Sequence, residues 1–296
     1  MNHYEHCPLC GSAAISSVLK AKDHTVSGEI FNIWACKDCT GRFTQDIPAI
    51  EAIGSYYQSE NYISHTETKA GFINRLYHQA RNITLKGKCN FVRKETTLST
   101  GRLLDVGAGT GAFLSVMKKE GWDVTGIEPD EQAMKNASRV HGISLLPSDA
   151  FFEQQPESFD AISMWHVLEH VHQLHEYIAH LKKILKKDGV LFIAVPNYTS
   201  SDAQHYDSLW AAYDVPRHLY HFSPLSMKLL MIKHGLEITR MAPMWFDSFY
   251  VSMLSEKYRS GKNKLIPAFV QGLKTDLEAM KKVSSCSSII YIIRKK

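Results

Sequence analysis

Leu103-Leu104-Asp105-Val106-Gly107-Ala108-Gly109-Thr110-Gly111 is the stretch that decides the fold. The apolar run reads as a short buried strand, the alternating glycines as a tight turn, and the residues after Gly111 as a helix start. Glycine tolerates positive φ and lets a ligand come close to the main chain. A helix beginning there directs its unpaired N–H groups at that ligand. Strand, turn and helix in this order mark a nucleotide-type cofactor site at the switch point of a parallel sheet. Gly107, Gly109 and Ala112 also satisfy the loose dinucleotide fingerprint. Asp105 argues against that reading, because a dinucleotide site has an apolar residue two positions before its first glycine. A carboxylate there suits an ammonium group and repels a pyrophosphate.

Working outward, residues 122–130 read as a second strand ending in an acid, Glu128. A carboxylate at this place can accept both ribose hydroxyls of either kind of cofactor. Ser148-Asp149-Ala150-Phe151 follows a third apolar run at residues 143–146. Residues 158–166 read as a fourth strand and its exit, and residues 186–197 as a turn and a fifth strand. From about residue 102 to 237 this order resembles the class I S-adenosylmethionine (SAM)-dependent methyltransferases, with the triple-glycine turn resembling their motif I. The resemblance implies an α/β, Rossmann-like fold: a seven-stranded, mostly parallel sheet with flanking helices. The last strand, residues 287–293, is expected antiparallel beside the fifth. It also implies that Asp105 faces the methionyl amino group and that Gly107 and Gly109 lie against the homocysteine part. Glu128 would take the ribose and Asp149 the adenine amino group. Pro129 and Phe151 would cover the adenine faces, with Trp165 completing the cofactor site.

Cys7-Pro8-Leu9-Cys10 and Cys36-Lys37-Asp38-Cys39 are two Cys-x-x-Cys knuckles with 25 residues between them. Four thiolates so spaced can converge on one tetrahedral Zn²⁺. Four sulfur ligands leave no open position for water, so the zinc is expected to be structural. Two disulfides are the alternative, disfavoured in a reducing compartment. The expected organisation is a zinc ribbon at 1–45 and a helical connector or lid at 46–95. A SAM-dependent methyltransferase domain follows at 96–296, with an insertion near 247–281. Tyr57, Tyr62 and His65 of the connector either line the pocket or pack the ribbon.

The 296 residues carry 34 Lys plus Arg against 30 Asp plus Glu, a net charge of +4, which does not point to a nucleic-acid binder. Hydrophobic residues make up 44%, enough for a packed core. No apolar run reaches the ~20 residues that span a bilayer, and no apolar signal core opens the chain. A soluble, cytoplasmic protein with no membrane partner is expected. The insertion is read either as a cap on the substrate side, as a homodimer contact, or as a plain surface excursion.

Methyl transfer requires a nucleophile held in line with the S–CH₃ bond, and a base only where that nucleophile must lose a proton. Histidine suits that work near neutral pH. His166 stands where the fourth strand leaves the sheet. Leu168-Glu169-His170 resembles the Leu-Glu-His of ubiquinone-pathway O-methyltransferases, where acid and histidine help a divalent ion. Those enzymes have Glu at the place of His166, so Glu169 and His170 are read here mainly as structural. Pro216-Arg217-His218-Leu219-Tyr220-His221-Phe222-Ser223 resembles the methyltransferase type 23 branch, in which a zinc ribbon commonly precedes the SAM domain. His166, His218 and His221 are therefore the catalytic candidates, with Arg217 a candidate for an anionic substrate group. The expected reaction is O- or C-methylation of a small or medium organic acceptor. A sugar acceptor is not expected, since related deoxysugar enzymes carry a further C-terminal domain. Two rival readings are a zinc-ribbon RNA methyltransferase and a non-catalytic binding protein on the same fold. The (Asp/Asn)-Pro-Pro-aromatic motif of amino-group methylating enzymes is absent after the fourth strand.

Overall fold

The computed structural model describes residues 2–57 and 72–296. Tyr62 and His65 fall outside the described residues. Backbone contacts divide the chain into two interleaved units. One comprises Met1–His65, Leu168–His175 and Ala194–Tyr291, and the other Thr66–Val167, Glu176–Ile193 and Ile292–Lys296.

In the second unit, helix α1 (Phe72–Thr96) precedes strand β4 (Arg102–Val106). Leu103 and Leu104 are both fully buried, and four of the five β4 residues are enclosed. Burial on both faces is what a strand between two helical layers requires. β4 pairs in parallel with β5 (Asp123–Ile127) on one side and with β6 (Phe159–Trp165) on the other. Helix α2 (Ala112–Lys119) buries Phe113, Leu114 and Met117, the i, i+1, i+4 stripe of a core-facing helix. The short helix α3 (Glu131–Asn136) follows β5, capped by the Asp130 carboxylate accepting from Ala133 N. The third apolar run forms a single rung: Leu146 N donates to Gly126 O and Leu146 O accepts from Glu128 N. Pro147, lacking an N–H, ends the pairing there. Seven strands were expected, whereas among the described residues the sheet has six plus this bridge. Its order is β5-β4-β6-β7-β10-β9, with β7 (Leu185–Pro196) and β10 (Ser288–Lys295) running through both units and β9 (Leu236–Pro243) at the edge. Helix α4 (Leu174–Ile184) leads directly into β7.

The first unit holds the cysteine knuckles and strands β1 (Ile15–Lys22), β2 (Ile30–Cys36) and β3 (Arg42–Thr44). These pair antiparallel, and the sheet then gains a fourth strand from far along the chain, β8 (Tyr220–His221). Arg42 opposes His221 and Phe43 opposes Tyr220. The ribbon sheet is thus completed by the Pro-Arg-His-Leu-Tyr-His segment itself. Its core joins Phe31 and Ile33 of β2 to Trp210, Tyr213 and Val215, which follow the short helix α5 (Ser201–Tyr206). Helix α6 (Pro224–Lys233) starts as the sequence predicts, with Ser223 as N-cap, a capping box with Ser226, and Pro224 at the first helical position. The expected helical insertion is a hairpin of α7 (Asp247–Ser260) and α8 (Leu265–Lys281), broken at Gly261, whose φ is 69°.

Candidate active site

The glycine turn is built from the end of β4. Gly107 and Gly109 have φ of 72° and 54°. A Cβ on Gly107 would fall 2.4 Å from Val167 Cγ2, whereas one on Gly109 would meet nothing within 4 Å. Gly107 is therefore fixed by packing, and Gly109 leaves open space over its backbone. Glu128, at the end of β5, closes the turn: its carboxylate accepts from Gly109 N at 2.7 Å and from Asp130 N at 3.1 Å. Burial pushes the Glu128 carboxyl up, and these two N–H donors oppose that push.

Asp105 is 2% exposed and accepts a 2.6 Å hydrogen bond from Ser163 Oγ of β6. Burial pushes its carboxyl up to about 7, with the Ser163 bond and the Lys88 charge acting against it and the Glu128 charge adding to it. A buried carboxylate under such stress favours a cation that would compensate it. Lys88 Nζ lies 4.3 Å from the centre of the Trp165 ring, and the Trp165 ring packs edge-on against Phe113 at 5.7 Å. The Trp165 indole N–H is buried and has no hydrogen-bond partner among the described residues. An open glycine cradle, a stressed carboxylate and an orphaned donor fit a polar, cationic cofactor. Pro129 and Asp149 are exposed, the Asp149 carboxylate accepting from Ala150 N. Phe151 is fully buried, stacked on Tyr177 at 4.3 Å and set against Phe152 and His180. His166, directly after β6, has φ of 59°. A left-handed backbone at a non-glycine residue stores strain of the kind found at functional sites.

The second cluster belongs to the first unit. Ligand atoms of Glu169, His170 and His218 lie within 4.8 Å of one another. His170 Nδ1 is 3.0 Å from Arg217 O and 3.0 Å from Tyr57 Oη. His218 Nδ1 is 2.8 Å from Ala212 O. A carbonyl can only accept, so each Nδ1 carries a proton; His218 Nε2 lies 3.9 Å from Asp214 Oδ2. Burial, then the neighbouring His218, brings His170 down to about 4, which keeps it neutral. A neutral imidazole anchored through Nδ1–H to a main-chain carbonyl, as His170 is, is the usual state of a metal ligand or general base.

Beneath this cluster lies an ion-pair network. The Arg217 guanidinium, 1% exposed, donates to both Asp214 carboxylate oxygens at 3.0 and 2.6 Å. It also donates to Asp23 Oδ1 at 3.1 Å and to Tyr56 O at 2.7 Å. Burial works against ionising Asp214, yet the Arg217 bonds and the charges of His218 and Arg217 hold its carboxyl below the usual range. Arg217, a sequence candidate for a substrate anion, is instead committed inward. His221 is buried with Nε2 3.1 Å from Thr44 Oγ1, and burial lowers its basicity strongly. Thr44 Oγ1 donates to His218 O at 2.7 Å, so its oxygen accepts from His221 Nε2–H.

In the ribbon, Cys7 Sγ lies 3.6 Å from Cys39 Sγ, and Cys10 Sγ 3.6 Å from Cys36 Sγ. Tetrahedral zinc with ~2.3 Å bonds sets sulfurs about 3.8 Å apart, whereas a disulfide needs ~2.05 Å. The four thiols are free, and Gly41 N donates to Cys39 Sγ at 3.4 Å.

A family model described as a methyltransferase domain, of type 23, matches residues 76–240. The chain belongs to the SAM-dependent methyltransferases. Among curated relatives, a ubiquinone biosynthesis O-methyltransferase of Xylella fastidiosa is 30% identical over 120 residues, 38% of this chain and 48% of that protein. One from Nitrosococcus oceani is 24% identical over 204 residues, 64% of this chain and 84% of that protein. The chain spans about half the length of the first curated relatives it matches. Among solved structures, the Burkholderia thailandensis 1,6-didemethyltoxoflavin-N1-methyltransferase aligns with a TM-score of 0.51 and 13% identity, covering 93% of this chain and 100% of that one. The geranyl diphosphate C-methyltransferase of Streptomyces coelicolor aligns at 0.50 and 12%, over 71% and 79%. At such identities the likeness is one of fold.

Sequence reasoning did not single out Ser163, Lys88, Asp23, Thr44 or Asp214. Ser163 alone left a readable trace, a polar residue inside an otherwise apolar strand. Lys88 and Thr44 are defined by partners far along the chain, as is the Asp23–Arg217 pair, whereas Asp214 pairs with Arg217 three residues on.

Proposed function

We propose that this methyltransferase transfers the SAM methyl group to a small or medium organic acceptor, at oxygen or carbon. The observation that carries the reading is Asp105, a buried carboxylate held up to about 7 beside an open glycine turn. When bound, SAM supplies an electrophilic methyl on sulfur. Asp105 would pair with its ammonium group, Gly107 and Gly109 would admit its chain, and Glu128 would exchange its bond to Gly109 N for the ribose hydroxyls. Pro129, Asp149 and Trp165 would contribute the remaining contacts, with Phe151 supporting the wall from beneath. His166, strained at the exit of β6, would position the reacting groups. His170, kept neutral by burial, and His218 would be the groups that take the acceptor's proton. His221 would hold the loop. Zinc in the ribbon would be structural, bound by Cys7, Cys10, Cys36 and Cys39.

The donor set favours a second role for the same cluster. Glu169, His170 and His218 offer one carboxylate and two imidazole nitrogens, a set suited to a divalent transition metal. Such an ion would orient an oxygen nucleophile and lower its pKa. The relatives named as ubiquinone biosynthesis O-methyltransferases favour oxygen as that nucleophile.

The test is methyl labelling of a cell extract with radioactive SAM, separated into small-molecule, RNA and protein fractions. Label in the small-molecule fraction, lost with Asp105→Ala, is the expected result. Label confined to RNA would overturn the acceptor class, and no S-adenosylhomocysteine from any fraction would overturn catalysis.

A further inference from the structure

Helix α8 is amphipathic with the wrong face inward. It buries Ala268, Gly272, Thr275 and Ala279, small residues spaced one turn apart. A Cβ on Gly272 would sit 2.7 Å from Phe249 Cδ1, so α7 and α8 approach as closely as glycine permits. Helix α7 answers with Ser248, Ser252 and Ser255, all fully buried. The large apolar side chains of α8 point the other way: Ile266, Phe269, Val270, Leu273, Leu277 and Met280 are exposed, Ile266 by 80% and Met280 by 73%. Their spacing of i, i+3, i+4, i+7, i+11 and i+14 is a single continuous stripe. Phe249, 5.3 Å from Phe269 and 6.4 Å from Phe246, extends the patch onto α7, where Phe246 is 64% exposed. A helix on the surface of a water-soluble domain turns its large apolar face to the core. Helices that face lipid do the reverse, packing through small residues and presenting large ones outward.

The charge pattern selects the occupant. Lys262, Lys264, Lys274, Lys281 and Lys282 are exposed around the stripe. The two acids in the same span are half-buried and hydrogen-bonded to neighbouring elements: Asp276 accepts from Ser248 Oγ at 2.7 Å and from Phe246 N, and Glu278 accepts from Ser201 Oγ. The outward face is therefore apolar and cationic. A second copy of the chain would set lysines against lysines, whereas an anionic lipid surface complements them. No helix among the described residues is long and apolar enough to cross a membrane, so the hairpin would lie in the interface. We infer that the α7–α8 hairpin is a peripheral docking face for an anionic bilayer surface. The face lies beyond residue 240, outside the matched methyltransferase domain, and the inference departs from the sequence expectation of no membrane partner.

The test is co-sedimentation of the full chain with phosphatidylcholine vesicles, with and without phosphatidylglycerol. Binding is expected with phosphatidylglycerol, weakening as salt screens the lysines. Ile266→Asp with Phe269→Asp should lower partitioning by about tenfold or more while the circular dichroism spectrum and melting midpoint stay unchanged, since both side chains are exposed. Lys274→Glu with Lys281→Glu should shift only the phosphatidylglycerol-dependent part. Failure of the wild-type chain to bind either vesicle overturns the inference. So does a concentration-dependent dimer in analytical ultracentrifugation that the aspartate pair abolishes, without vesicle binding.

Discussion

At the scale of single residues, Asp105 is the most informative. Its carboxyl is raised to about 7 because it is buried with little to compensate its charge. Below that pH it is neutral and above it ionised, and in the proposed role only the ionised form would attract the cofactor's ammonium group. SAM affinity is therefore expected to rise from pH 6 to pH 8, measured by calorimetry, with a proton released on binding. Asp105→Asn should flatten this profile and weaken binding at pH 8 by about tenfold or more, near 1.4 kcal/mol. The same change should act oppositely on the free protein. The folded state holds the Asp105 proton up to about pH 7, whereas the unfolded chain loses it near pH 4. Stability contributed by that proton falls as pH rises through this window. Without SAM, Asp105→Asn should melt higher than wild type at pH 8, with the gap closing towards pH 4. An unchanged gap would mean that Asp105 is already compensated.

At the scale of elements, β8 joins two distant parts of the sequence. It completes the ribbon sheet through Arg42–His221 and Phe43–Tyr220, and Arg217 just before it ties Asp23 to Asp214. Removing one partner from a buried ion pair costs about 3–5 kcal/mol, because the remaining charge stays buried. Arg217→Met should lower the melting temperature by about 10 °C at pH 7. Arg217 helps to hold both carboxyls below their usual range, alongside the turn N–H groups of Ser27 and Thr25 at Asp23. In the variant, protonation relieves the stranded Asp23 and Asp214, so the deficit should shrink as pH falls towards 4. A deficit independent of pH would point to lost packing of the arginine stem instead. Little of this was legible in the sequence. The Asp105–Gly111 turn, the Ser223 cap and the cysteine knuckles are local patterns, and each reads from fewer than ten neighbouring residues. Asp23 reads locally only as a turn residue, accepting from Thr25 N, Val26 N and Ser27 N. Its pairing with a residue 194 positions away has no local signature.

At the scale of the whole molecule, the residues proposed to hold the cofactor stood out in the sequence because they follow in chain order along β4, β5 and β6. The histidine cluster did not, because it is assembled from Tyr57, His170, Ala212 and His218, which no single motif contains. The ribbon links these two kinds of legibility: its cysteines are obvious, and its role as a brace is not. Thr44 of β3 holds His218 O and His221 Nε2, Thr40 Oγ1 is 2.7 Å from Ser223 Oγ, and Tyr198 Oη donates to Thr40 O. Thr40 stands one residue after Cys39. Metal bound by the four cysteines would fix the knuckle that positions this chain of contacts, as structural zinc sites contribute folding energy directly. Stripping metal with a high-affinity chelator should therefore speed amide hydrogen exchange not only in the knuckles but at Leu219, Tyr220 and His221, some 180 residues away in sequence. Exchange along β4 should be unchanged, and SAM binding to Asp105 and the glycine turn should persist while methyl transfer falls. Readdition of zinc should restore protection at Tyr220. Metal-free protein that keeps full protection across β8 would show that the ribbon merely abuts the loop and does not hold it.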